Sequence, residues 1–156
     1  MDELGLPRWP ALVGTLASAV GFGVAGYLTY EHYTGSSTLA CSGTGVINCL
    51  KVTTSSYSSI VGVPVAVLGL VFFAAMLVLQ APPMWRRSEP LVRWIRLGSC
   101  GIGLAMVLYL LYTELFRIDA ICLWCTGVHV LTFVVFCSTV YATLSYPLSD
   151  MVPASP

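Results

Sequence analysis

The sequence predicts an all-α membrane protein, a four-transmembrane-helix bundle with a short loop cap on its exoplasmic side. Three observations carry that expectation. Hydrophobic residues make up 57% of the 156 and charged ones only 9%, with a mean hydropathy of +0.85. A soluble domain carries roughly 25% charged residues, so this chain cannot cover a water-facing surface. Four apolar stretches each approach the about 20 residues that a helix needs to cross a bilayer. The basic residues gather on alternate links between those stretches. The length suits one domain. A net charge of zero and the lack of a basic run give no surface for nucleic acid.

The first stretch runs from Pro10 to Tyr30 and is broken only by small residues such as Gly14, Gly21, Gly23 and Gly26. It exceeds the usual apolar core of a signal peptide, and its flank holds Asp2 and Glu3 beside Arg8, so it reads as a retained helix. The second stretch runs from Ile60 to Ala81, the third from Leu91 or Ile95 to Phe116, and the fourth from Ile121 to Leu144. Each is apolar nearly all round, as lipid-embedded helices are. Gly98, Gly101 and Ala105 on the third, and Gly23 or Gly26 on the first, could seat a neighbouring helix closely, although glycine is also common in membrane helices at large. Residues 1–146 form the helical domain. Residues 147–156, with Pro147, Pro153 and Pro156, form a short cytoplasmic tail.

Charge orients the bundle. Arg8 precedes the first helix, and Arg86, Arg87, Arg93 and Arg96 crowd the link between the second and third. The other two links hold only Lys51 and Arg117. Basic residues favour the cytoplasmic side, which places the N-terminus and the second link there and the remaining links on the opposite face.

Those exoplasmic links hold four of the six cysteines. Cys122 and Cys125 form C-L-W-C at the opening of the last helix, and their spacing puts both on one face of its first turn. Asp119 is placed to cap that helix. Free backbone N–H groups there favour a thiolate, the form that attacks a disulfide or an electrophilic quinone. Two cysteines buried by chance among apolar neighbours remain an alternative for this motif. Cys41 and Cys49 bracket S-G-T-G-V-I-N, a loop with two glycines. A static disulfide would explain that pair alone. A relay by thiol–disulfide exchange would explain both. Neither pair matches the paired knuckles of a structural zinc site, so no metal is expected. Cys100 and Cys137 fall within the third and fourth helices, where lone cysteines ordinarily pack.

With these elements the chain resembles the vitamin K epoxide reductase family over about residues 10–145. The resemblance rests on Cys41, Cys49, the hydroxyl of Ser55, the I-V-G-V-P segment from Ile60 to Pro64, and C-L-W-C from Cys122 to Cys125. Membrane thiol oxidases of the DsbB type share the chemistry but carry their C-x-x-C before the other pair. The resemblance implies that Cys125 lies against a quinone ring with Cys122 as its disulfide partner. It implies that Cys49 attacks Cys122 and that Cys41 faces a soluble thiol donor. Ser55, Ser58, Gly62 and His129 would border the quinone, Ser58 standing where animal members use asparagine and His129 where they use tyrosine. The link from Cys49 to Gly62 is shorter than in animal members, so the cap should be smaller.

The implied activity is that of an enzyme, a quinone-linked disulfide oxidoreductase. A separate DsbA-like thioredoxin-fold partner would supply thiols, and a quinone of the menaquinone, ubiquinone or vitamin K type would accept the electrons. The absence of a basic retrieval signal in the tail favours a bacterial plasma membrane over the endoplasmic reticulum. Two rivals share the same residues. One is reduction of vitamin K epoxide or quinone for recycling. The other is a non-catalytic membrane protein with structural disulfides.

Overall fold

The computed structural model describes residues 8–35, 41, 45–85 and 89–145. Arg86, Arg87 and the tail 147–156 lie outside the described residues. The chain enters as α1 (Arg8–Thr34) and reaches a cap made of α2 (Cys49–Thr53), a 3-10 turn (Ser56–Ser58) and a hairpin of β1 (Ser59–Ile60) and β2 (Val63–Pro64). It continues as α3 (Val65–Gln80), the short α4 (Pro82–Trp85) and α5 (Pro90–Thr113), which ends in a π-helical turn, Glu114–Ile118. The last element is α6 (Leu123–Ser145).

Trp9–Thr34, Pro90–Ile118 and Leu123–Ser145 are long and apolar enough to cross a membrane, which makes this a multi-pass membrane protein. The second expected span is shorter than the sequence indicates. Only 16 residues, Val65–Gln80, are helical there. At 1.5 Å per residue that covers roughly 24 Å, against roughly 30 Å of hydrocarbon. Prolines set both limits, because Pro64 precedes the helix and Pro82 follows it. The residues just before Pro64 turn back as the hairpin, whose tip holds Val61 (φ 52°) and Gly62 (φ 80°). Two left-handed residues in succession make the tight turn whose twist suits a hairpin.

α1 lies against both α3 and α6, and α5 lies mainly against α6. Close approach depends on glycines other than those the spacing indicated. A Cβ at Gly21 would fall 2.3 Å from the Phe73 ring, and one at Gly103 would fall 2.6 Å from Phe72. Gly23, Gly98 and Gly101 meet nothing within 4 Å among the described residues. They are exposed, as is Ala105, on faces turned away from the bundle.

A polar layer closes the lower end of α3. A helix end in lipid leaves carbonyls that water cannot satisfy. Here side chains satisfy them. Arg96 donates from Nε to Leu79 O (3.0 Å) and from a terminal nitrogen to Met84 O (3.2 Å). Trp85 Nε1 and Thr15 Oγ1 both donate to Gln80 O, at 3.1 and 3.0 Å. The guanidinium carbon of Arg96 stands 3.7 Å from the Trp85 ring centroid, and Gln80 Nε2 donates to Thr139 Oγ1.

Candidate functional site

The two cysteine pairs meet because two strand-like segments pair at the top of the bundle. Ile47 and Ile121 form a parallel bridge. Asn48 N donates to Ile121 O (3.1 Å) and Ile121 N to Val46 O (2.8 Å). Asn48 also starts α2, its side-chain oxygen accepting from Lys51 N at 2.9 Å. The bridge therefore fixes Cys49, at the start of α2, relative to Cys122, the residue after Ile121. Both are buried, at 1% and 0% exposure, in one apolar cluster with Val52, Ile118 and Ala120. Cys41 and Cys125 pack against that cluster from its partly open sides. Cys41 and Cys49 are joined as a disulfide, with Cα atoms 5.9 Å apart, whereas Cys122 and Cys125 are free thiols.

The approach to Cys122 differs from the expectation. Asp119 does not cap α6. It sits in the left-handed conformation (φ 50°, ψ 45°) and closes the π turn, its N–H donating to Glu114 O. Aspartate tolerates that conformation better than most residues. Cys122 immediately precedes α6. Its carbonyl accepts from Thr126 N at 2.8 Å, and Cys125 N donates to its sulfur at 3.3 Å. Hydrogen bonding from the Cys125 thiol, aided by the backbone N–H groups of Cys125 and Trp124, holds the Cys122 thiol below its ordinary range despite burial.

Below the sulfurs lies a cavity of about 100 Å³. Ala25 and Leu28 of α1, Val65 and Gly69 of α3, Leu110 of α5 and Val128 of α6 give it mostly apolar walls. Cys125, Ser55, Ser58 and His129 all line it, so four of the anticipated residues converge. Gly62 does not join them. It lies exposed at the hairpin tip, with nothing within 4 Å among the described residues, because the turn projects it away from the bundle. The Ser55 hydroxyl already donates to Val52 O at 2.8 Å, so toward the cavity its oxygen is free to accept. Buried His129 has no hydrogen-bond partner at Nδ1 among the described residues.

Several lining residues were not anticipated. His32, Tyr57, Thr113 and Glu114 also face the cavity. Tyr57 is held by Arg117, whose Nε donates to its Oη at 3.2 Å. Trp124, between the two cysteines, packs its ring against Tyr27 (centroids 5.2 Å apart), which braces the motif on α1. Glu114 was legible as a carboxyl near the end of an apolar stretch, but nothing in the spacing showed which way it would face.

An apolar cleft with a few convergent polar groups is the ordinary form of a small-molecule site. The Ser58 hydroxyl, for which no other bond is found among the described residues, can donate to the carbonyl edge of a flat, otherwise apolar ring such as a quinone. The model of the vitamin K epoxide reductase family matches residues 12–140, a range that contains all four clustered cysteines and every residue of the cavity wall. Members of that family are membrane oxidoreductases that work with quinones and cysteine pairs, and this chain belongs to the vitamin K epoxide reductase family.

Proposed function

We propose that the protein is a quinone-linked disulfide oxidoreductase whose electrons pass inward in the order Cys41, Cys49, Cys122, Cys125. One observation carries this reading. The two middle cysteines are sealed from solvent, whereas the two outer ones are each reachable from a different side. Cys41 is partly exposed, and Cys125 opens onto the cavity. A buried thiol such as Cys122 can be attacked only by a neighbour within its own cluster, and Cys49 is that neighbour. Thiol–disulfide exchange through a mixed disulfide needs this arrangement.

In this reading a soluble thioredoxin-fold protein of the DsbA type reduces the Cys41–Cys49 disulfide. Cys49 then attacks Cys122 in its disulfide with Cys125, and the electrons end on the Cys122–Cys125 dithiol. A bound quinone supplies a two-electron acceptor at the cavity. Cys125 presents its sulfur there, Ser58 and His129 bind the polar edge, Ser55 accepts a hydrogen bond, and Val65, Gly69 and Val128 exclude water. In this reading the cysteines face the exoplasmic side of a bacterial plasma membrane, an orientation supported by the excess of arginine before the first helix and between the second and third. Residues 1–146 act as the membrane unit and 147–156 as a cytoplasmic tail, with α3 as a short fourth crossing.

The test has two arms. Purified protein with a reduced thioredoxin-fold partner and quinone, without oxygen, should lose two partner thiols per quinone reduced. A Cys41→Ala variant, whose Cys122–Cys125 pair is first oxidised by quinone, should accumulate a Cys49–Cys122 disulfide with Cys125 released as a thiol, seen by peptide mapping. Loss of partner thiols with no quinone reduced, or a trapped bond elsewhere, overturns the relay.

A further inference from the structure

We propose that Glu114 is the proton-transfer residue of the cavity, a role that rests on the reading of the site as the place where the cysteine dithiol is oxidised. Oxidation of the Cys122 and Cys125 thiols to a disulfide releases two electrons and two protons. A quinone needs both electrons and both protons to become quinol. The electrons leave through sulfur, but the protons need a base beside the thiols and an acid beside the acceptor oxygens. Glu114 takes one thiol proton on its carboxylate and passes it on as the carboxylic acid. Repeated once for each thiol, this transfers both protons and returns Glu114 to its starting state.

Four observations place Glu114 in that role. It lines the same cavity as Cys125, which packs against Cys122 in the cysteine cluster. It is buried, at 4% exposure, and no hydrogen bond or ion pair holds its carboxyl among the described residues. A carboxyl group within a membrane helix is costly to keep without a partner, and such groups ordinarily mark a functional site. Its backbone is fixed from both sides. The N–H donates to Leu110 O and Leu111 O, and the carbonyl accepts from Asp119 N and, at 3.3 Å, from Ala120 N. The Asp119 bond closes the π turn, a distortion that recurs at functional sites.

The turn also bears on the cation nearest in sequence. A residue three positions on would ordinarily be a helix neighbour of Glu114. Arg117 is instead fully exposed and hydrogen bonds to Tyr57, so it does not pair with the carboxyl. The other titratable groups facing the cavity are His32 from α1, Tyr57 from the 3-10 turn, and Cys125 and His129 from α6. Cys122 lies just above them in the cysteine cluster. His129 stands one helical turn beyond Cys125, further along α6 from both sulfurs.

The experiment begins without quinone. Infrared difference spectra are recorded as a dithiol reagent reduces the Cys122–Cys125 disulfide, in ordinary and heavy water. The wild-type protein should show a deuterium-sensitive carboxyl signal that tracks the redox state. Glu114→Gln should abolish it and His129→Gln should keep it. The quinone-dependent step in Glu114→Gln should then slow by about 100-fold or more, while formation of the Cys49–Cys122 mixed disulfide continues at the wild-type rate. Glu114→Asp, which keeps the carboxyl, should restore part of the quinone step and covers the case in which the glutamine variant fails to fold. An unchanged infrared signal in Glu114→Gln overturns the assignment, as does a quinone step equal to wild type. Equal loss of disulfide exchange and the quinone step overturns it too, because that pattern marks a structural role. If wild-type protein reduces no quinone, the proposed function itself fails, and that failure is distinguishable from a selective null result in the variant.

Discussion

Two buried polar regions sit at opposite ends of a mostly apolar bundle, and they are built on opposite terms. The lower one, around Gln80, Arg96 and Thr139, is filled. Its donors meet the carbonyls at the end of a short helix, and one oxygen, Gln80 Oε1, is left without a partner among the described residues. The upper one, around Glu114, His129 and Cys125, is open to a cavity and leaves its groups available. Polar side chains in lipid either satisfy a neighbouring backbone or remain poised for a ligand, and the difference is visible in where their hydrogen bonds go. The lower region should therefore control stability and the upper one chemistry.

That division can be broken by substitution. The largest effect is expected from Cys125→Ala, which should reduce quinone-dependent thiol oxidation to background while leaving the thermal unfolding midpoint in place. Turnover and a melting curve on the same sample check it. A large fall in stability would show that the upper region is structural after all. Arg96→Leu should do the reverse. It removes two charge-assisted bonds and the Trp85 contact, at a cost of about 3 kcal/mol in detergent unfolding, with turnover per folded molecule unchanged.

Smaller effects sharpen the picture between the two ends. Gly21→Ala places a methyl into the Phe73 ring, which is itself fully buried and cannot move aside, so a loss of about 2 kcal/mol is expected. Gly98→Ala, on an open face, should match the wild type in the same unfolding measurement. Thr139→Val should cost about 1 kcal/mol, since Gln80 Nε2 and the Cys100 thiol both donate to its hydroxyl. Turnover should again be unaffected.

Much of this was legible along the chain. The apolar stretches, the end of the bundle holding the cysteines, and the shared helix face of Cys125 and His129 follow from residue type and spacing, whereas the approach of Ser55 and Ser58 to Cys125 was implied by the family resemblance. Three expectations did not carry through. The second stretch is a shorter helix because Pro64 and the left-handed pair Val61 and Gly62 turn its start into a hairpin. Gly62 is thereby carried away from the cavity it was expected to border. Asp119 ends a π turn instead of starting α6. Local turn chemistry in a run of apolar residues is hidden from a reading based on hydropathy, which averages over the positions where the backbone changes direction.

By itself the sequence determined that this protein lives in a membrane and carries two cysteine pairs at one end, because those properties depend on composition, span length and charge placement. Only the tertiary structure decided that the inner cysteines are sealed, that Gly21 and Gly103 are the close contacts, and that Glu114 turns into the cavity while Arg117 turns out. The physical reason is register. A bridge between Ile47 and Ile121 and one widened helical turn set which side chains meet, and neither feature leaves a periodic mark in the chain.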